Sequence, residues 1–187
     1  MRIVAGRHRG RVLLAPPGQT TRPTADRVRE ALFNILAHGE PRLAEARVLD
    51  AFGGSGALGF EALSRGAGHV TFMENDAAAM AVIYGNAKKL DVLNDCTVLR
   101  VDATKPPKAP APCGIILMDP PYKSGLGQAA LTGLLAQGWI APCALMVVEV
   151  AAGEPFNAPR KDMTIVDERK YGAARLVFLR MSEGVTA

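Results

Sequence analysis

The chain has few cysteines, only three in 187 residues: Cys96, Cys113 and Cys143 are widely spaced and form no C-x-x-C pair. That scarcity argues against a disulfide framework and against a zinc site, and leaves three thiols expected in strands or loops. Long apolar runs are also missing. No stretch approaches the roughly 18 apolar residues of a membrane span, and the opening MRIVAGRHRG breaks any apolar core with charge, so it does not read as a secretory leader. Aromatic residues are sparse, 5% of the chain. Acidic residues are scarce at one end: the first thirty residues hold seven arginines, no lysine, and only Asp26 and Glu30. That segment carries +5 within a whole-chain charge of +4, leaving the remainder at −1. A positive field confined to one end suits a polyanionic partner there. These features describe a soluble cytoplasmic protein with room for one well-buried domain, over 21–187, and a small extension over 1–20.

What is present is organised around RVLDAFGGSGALG, residues 47–59. Val48 and Leu49 are an apolar strand, Asp50 closes it, and Gly53, Gly54 and Gly56 allow a tight turn that brings backbone against a ligand. From Leu58 the apolar spacing is that of a helix whose N-terminus points back at the ligand. Gly54, Gly56 and Gly59 match the dinucleotide fingerprint, with Glu74 about twenty residues further on. That match fits a dehydrogenase or a methyltransferase. Asp50 favours the second, because a carboxylate before the turn suits a cationic ligand such as the ammonium of S-adenosylmethionine and repels a pyrophosphate.

In chain order, RIVAG and RVLLA flank Arg7-His8-Arg9-Gly10 and predict a small basic hairpin. Its Arg7, Arg9 and Arg11, with Arg22 and Arg27 on the following segment, are candidate RNA contacts, since arginine forks suit phosphates. A helix is predicted from Thr24 as N-cap, with Val28, Ala31, Leu32, Ile35 and Leu36 on its apolar face. HVTFMEND is a second strand ending near Glu74, placed to accept ribose hydroxyls, and AAAMAVIYGNAKKL is the helix after it. CTVLRVDA is a third strand, with Asp102 where an adenine amine would lie. The fourth strand, GIILMDPPY, ends in Asp119-Pro120-Pro121-Tyr122 at the sheet edge that also carries the glycine turn. A helix, the strand ALMVVEVA and a closing hairpin through Gly172 complete a doubly wound, Rossmann-like, seven-stranded α/β sheet. The sheet is mostly parallel with a final antiparallel strand, and the N-terminal β-hairpin is added to it.

DPPY suits methylation of an exocyclic amine, whose lone pair is conjugated until its hydrogens are held. Asp119 and the Pro120 carbonyl can accept those hydrogens, and Tyr122 can stack on a flipped base. An oxidoreductase would need a substrate domain and a proton relay, yet His8, His38 and His69 fall away from the cleft. A silent RNA-binding module would not need DPPY.

RPTADRVREALFNIL, LDAFGGSGALGFEALSRGA, MDPPY and RKYG together resemble the RsmD family of 16S rRNA (guanine-N2)-methyltransferases, within the class I S-adenosylmethionine-dependent enzymes. The resemblance spans nearly the whole chain. It implies transfer of a methyl group from S-adenosylmethionine to the N2 amine of a guanine in 16S rRNA of the small subunit or its assembly intermediate, by a monomer that needs no metal. Adenine N6 in nucleic acid is the alternative amine. The implied cofactor residues are Thr24, Asp50, Phe52, Gly53, Gly54, Ser55, Gly56, Leu58, Glu74, Asn75, Asp102 and Ala103, and the implied catalytic segment is Asp119, Pro120, Pro121 and Tyr122.

Overall fold

The computed structural model describes residues 1–16 and 23–183. Seven strands form one sheet in the order β3-β2-β1-β4-β5-β7-β6. They are β1 Arg47–Asp50, β2 His69–Glu74, β3 Cys96–Arg100, β4 Cys113–Met118, β5 Ile140–Ala151, β6 Met163–Tyr171 and β7 Ala174–Met181. β1 to β5 are parallel, and β7 runs antiparallel to both of its neighbours. α1 Pro23–Leu36 precedes β1, and α2 Ala57–Ser64, α3 Ala77–Leu90 and α4 Leu126–Ala136 lie between strands.

Side-chain alternation splits the core into two layers. Val48, Ile115, Leu117, Leu145, Val147, Leu176 and Phe178 face α1, α2 and α3. Leu49, Ile116, Met118, Met146, Val148, Val177 and Leu179 face α4 and the buried Trp139. Strands covered on both sides must be apolar at every position, which is why β4 reads as an unbroken run. The order reverses between β1 and β4, so the carboxyl ends of these two strands bound the crevice where ligands of such sheets bind.

Period two also places the acids. Asp50 follows Val48 by two residues, Asp119 follows Leu117, and Glu149 follows Val147, so all three lie on the α1/α2 side of the sheet. In register, Asp50 pairs with Leu117 and Met118 pairs with Val148. Asp119 therefore comes out beside Glu149, on the strand next to that of Asp50.

Three details depart from the sequence expectations. α1 already includes Pro23, so Thr24 stands inside the first turn rather than capping it. Proline favours that first turn because its missing N–H has no helical partner there. Phe33, omitted from the predicted face of α1, is fully buried under the cation-π contact of Arg65 at 5.3 Å. The N-terminal segment forms no strand: its pairing is one antiparallel bridge, Arg2 with Val12, flanked by Ile3 N–H to Arg11 C=O at 2.9 Å and Leu13 N–H to Met1 C=O at 3.1 Å. Side chains of α2 and α3 take the other backbone groups. Glu61 accepts the N–H groups of Val4 and Ala5 at 2.7 and 3.0 Å, and Ser64 Oγ accepts that of His8 at 3.0 Å. Asn86 Oδ1 accepts Leu14 N–H at 2.7 Å, and Lys89 donates to Val12 C=O at 2.6 Å. Ile3 and Leu13 bury themselves in the α1/α2 layer, so residues 1–16 are docked onto the domain rather than projecting from it. Among the described residues no helix is long and apolar enough to cross a membrane.

Candidate active site

The glycine turn is built by steric necessity. Gly56 has φ of 77° and caps α2, and a Cβ there would stand 2.4 Å from the Phe60 ring. A Cβ on Gly53 would meet Ile83 at 2.8 Å, beside the point where Gly53 N–H bonds Met73 C=O at 2.9 Å. The turn is thus pressed between α3 and the end of β2, where it forms one wall of a cavity of about 620 Å³. That volume lies in the range of small-molecule sites.

Phe52, Gly54, Glu74, Asn75, Asp102 and Ala103 line this cavity, and Asp119, Pro120, Pro121 and Tyr122 close its far side. A smaller adjoining space of about 180 Å³ is lined by Asp50, Gly53, Ser55 and Leu58, and shares Phe52, Gly54, Asp119 and Glu149 with the larger. Gly56 shapes the turn without lining either. Thr24's side chain and Arg22 lie outside the described residues. His8, His38 and His69 line neither space.

Each acid is held differently. Asp50 is almost fully buried: Oδ2 accepts Gly59 N–H at 3.0 Å, while Oδ1 makes no well-formed hydrogen bond. Burial, assisted by the charges of Asp119 and Glu74 and opposed by the Gly59 and Phe52 amides, pushes its carboxyl up to about 7. A buried acceptor with a spare lone pair calls for a donor, and a cationic one restores the ionised form. Glu74 locks the turn, with Oε2 accepting Gly54 N–H and Oε1 accepting the N–H groups of Asn75 and Asp76, each at 2.8 Å. Oε2 retains a lone pair toward the cavity. Asp102 is exposed, and its Oδ1 takes the N–H and hydroxyl of Thr104 at 2.8 and 2.7 Å, which hold the carboxyl below its ordinary range. This set of acceptors, one cation-seeking acid, one acid beside a glycine turn and one acid beyond β3, fits S-adenosylmethionine, whose ammonium, ribose hydroxyls and adenine amine all donate.

Asp119 is crowded by protein on one side and exposed to the cavity on the other, so its carboxylate is reachable. Burial, then the charge of Glu149, pushes it up to about 7. Glu149 was not foreseen from the sequence. It accepts the Tyr122 hydroxyl at 2.7 Å on Oε1, is raised by burial and lowered by that hydroxyl, and lines both spaces. Its signal was a lone acid inside the apolar run ALMVVEVA. Met1 lines both spaces as well, with its Sδ receiving the Ser55 hydroxyl at 3.2 Å.

The candidate RNA residues lie elsewhere. Arg7 is ion-paired with Asp95 at 2.8 Å. Arg9, Arg11 and Arg27 are exposed, and Arg9 and Arg27, with Arg2, rim a separate cleft of about 480 Å³ that also holds Asp26 and Glu30.

Comparison with known proteins places this architecture. The family model described as Conserved hypothetical protein 95 matches residues 1–180. The Ribosomal RNA small subunit methyltransferase D of Haemophilus influenzae is 36% identical over 179 residues, covering 92% of this chain and 89% of the relative. The protein of the same name from Escherichia coli K12 is 41% identical over 149 residues, covering 80% and 74%. The solved structure of yhhF from Escherichia coli superposes with a TM-score of 0.82 at 34% identity, over 98% of both chains.

Proposed function

Because the chain belongs to the family described as Conserved hypothetical protein 95, whose curated relatives include the small-subunit rRNA methyltransferases D, we propose that it methylates the exocyclic N2 amine of one guanine in 16S rRNA. The observation that supports this reading is the position of Asp119-Pro120-Pro121-Tyr122 on the cavity wall across from the glycine turn. Bound S-adenosylmethionine supplies an electrophilic methyl group on a positively charged sulfur. Asp50 would take its ammonium, Glu74 its ribose and Asp102 its adenine, with Phe52, Gly53, Gly54, Ser55, Leu58, Asn75 and Ala103 shaping the walls.

The amine is a poor nucleophile because its lone pair is delocalised into the base. Asp119 and the Pro120 carbonyl accept its two hydrogens, which turns the lone pair toward the methyl carbon and favours charge developing on nitrogen. Tyr122 stacks on the extruded base, and Pro121 stiffens the segment between them. As the N–C bond forms, the C–S bond breaks with its electron pair going to sulfur, and the nitrogen proton, now acidic, passes to Asp119. In-line positioning contributes up to roughly 7–11 kcal/mol, the largest share of the acceleration in a reaction that needs no strong base.

The protein acts in the cytoplasm as a monomer on the small subunit or its assembly intermediate, with the arginine-rich segment holding rRNA. Reversing Arg9, Arg11 and Arg27 to glutamate is expected to weaken RNA binding and flatten its salt dependence, by about 0.7–0.9 in the log-log slope for each phosphate no longer neutralised. Cofactor affinity, measured by calorimetry, should hardly change; an unaltered slope would leave these arginines a solvated face.

The defining experiment is mass mapping of rRNA nucleosides. Cells lacking the protein should lose one N2-methylguanosine, and purified protein with S-adenosylmethionine should restore it on small subunits. Restoration of N6-methyladenosine, or activity on duplex DNA alone, would refute the guanine assignment.

A further inference from the structure

The amine-holding segment treats all exocyclic amines alike, so base choice needs another group beside it. Adenine N6 is flanked by N1, an acceptor, and cytosine N4 by N3, also an acceptor. Guanine N2 is flanked on one side by N1–H, a donor. An ionised carboxylate next to the amine pocket therefore welcomes guanine and repels the other two, since it can only accept.

Glu149 occupies that place. It leaves β5 one position beyond the Val148 partner of Met118, on the same side of the sheet as Asp119, and the two carboxylates line one cavity with Tyr122. Tyr122 donates to Oε1 at 2.7 Å and steadies the carboxylate, and Glu149 lines the cavity with a second oxygen that can accept from a base. The residue that stacks on the base thus also orients the acid beside it. We propose that Glu149 is the specificity-determining residue, accepting N1–H of the target guanine while Asp119 and the Pro120 carbonyl hold N2. The inference rests on the guanine-N2 reading above and assigns the atom by which guanine is told from adenine and cytosine. Burial raises the Glu149 carboxyl on balance, and the Tyr122 hydroxyl offsets part of that rise.

The test is a cycle between residue and base. Small subunits are reconstituted with rRNA carrying either guanine or 2-aminopurine at the position that the wild-type protein methylates. 2-Aminopurine keeps the N2 amine but presents an acceptor at N1. Wild-type protein should favour guanine by about 10- to 100-fold in kcat/KM. In Glu149→Gln the amide oxygen still accepts from Tyr122 and the amide N–H₂ faces N1, so the preference should narrow to a few-fold or reverse. The cycle isolates the N1 contact, because other differences between the bases act equally on both proteins. Thermal unfolding and S-adenosylmethionine affinity check that the variant is intact, and the wild-type comparison stands even if it is not. Equal wild-type rates on the two bases, or an unchanged preference in a folded Glu149→Gln, overturn the assignment to Glu149 and leave guanine methylation standing. Failure of wild-type protein to methylate any guanine overturns both.

Discussion

Asp119→Ala should lower methyl transfer to small-subunit rRNA by about 10²–10³-fold, the scale of removing one transition-state hydrogen-bonding group, while S-adenosylmethionine still binds within severalfold. The separation follows from geometry. Asp119 leaves the end of β4, whereas Glu74 and Asp102 reach the cavity from β2 and the end of β3, and Asp50 is anchored by Gly59. Removing Asp119 also removes a charge that raises the Asp50 carboxyl, so the ammonium subsite is not weakened through that route. The same residue sets a pH limb. Its carboxyl is pushed up to about 7, so below that pH it carries a proton, accepts its amine hydrogen weakly and cannot take the proton that nitrogen releases; above it, the carboxylate does both. Wild-type turnover should therefore rise with pH through about 7 and level off, and Asp119→Asn, which keeps an acceptor but does not titrate, should retain partial activity without that limb. Near-normal turnover in Asp119→Ala, measured with tritiated methyl donor, would remove Asp119 from the chemistry.

The second large effect is on stability. Glu61 has no exposed surface, yet it accepts Val4 and Ala5 N–H, pairs with Arg65 at 2.8 Å and lies 3.8 Å from Arg29, itself almost buried. Arg29 goes on to donate to Arg2 C=O and Asp26 at 2.8 and 2.9 Å. Glu61→Ala leaves two backbone donors and the Arg65 Nε–H without their acceptor and removes the carboxylate nearest the buried Arg29 Nε, a cost of about 3–5 kcal/mol. Urea unfolding should show that loss. Hydrogen exchange should show protection falling first at Val4, Ala5 and His8, before the sheet opens, because these amides are held only by α2 side chains. A loss under about 1 kcal/mol, the scale of a single ordinary hydrogen bond, would mean that the N-terminal segment is held by Ile3 and Leu13 packing alone.

Much of the sheet was legible because its signals are local. The alternation around Val48, the glycine turn and the helical period of AAAMAVIYGNAKKL each specify one element without reference to the rest, and α3 spans the predicted residues. Candidate acids could be picked out where a strand ended on one, as at Asp50, Glu74 and Asp119. Glu149 escaped because its acid sits within a strand; only the registers of β4 with β5 reveal that this strand position is level with the end of its neighbour. Glu61 escaped because on helical spacing it reads as one more exposed acid. The hairpin was over-read for the related reason that β-prone segments announce extended backbone but not its partners. Here the pairing stops at the Arg2–Val12 bridge and its flanking bonds, and Glu61, Ser64, Asn86 and Lys89, each far along the chain, take the backbone groups left over.

β6 has a consequence for how the molecule behaves among its own copies. Among the described residues it is the last strand of the sheet, paired to β7 alone, and so offers a row of backbone donors and acceptors to any strand that drifts by. Along that margin stand Asp167, Glu168, Arg169 and Lys170, with Arg169 bonded to Asp167 and Arg175 to Glu168, each at 2.9 Å, beside a register irregularity between Ile165 and Asp167. A strand arriving from another molecule would have to strip water from four successive charges and match a kinked ladder. The sheet is thereby guarded against aggregation at the end farthest from the cleft, where no ligand is needed to cover it.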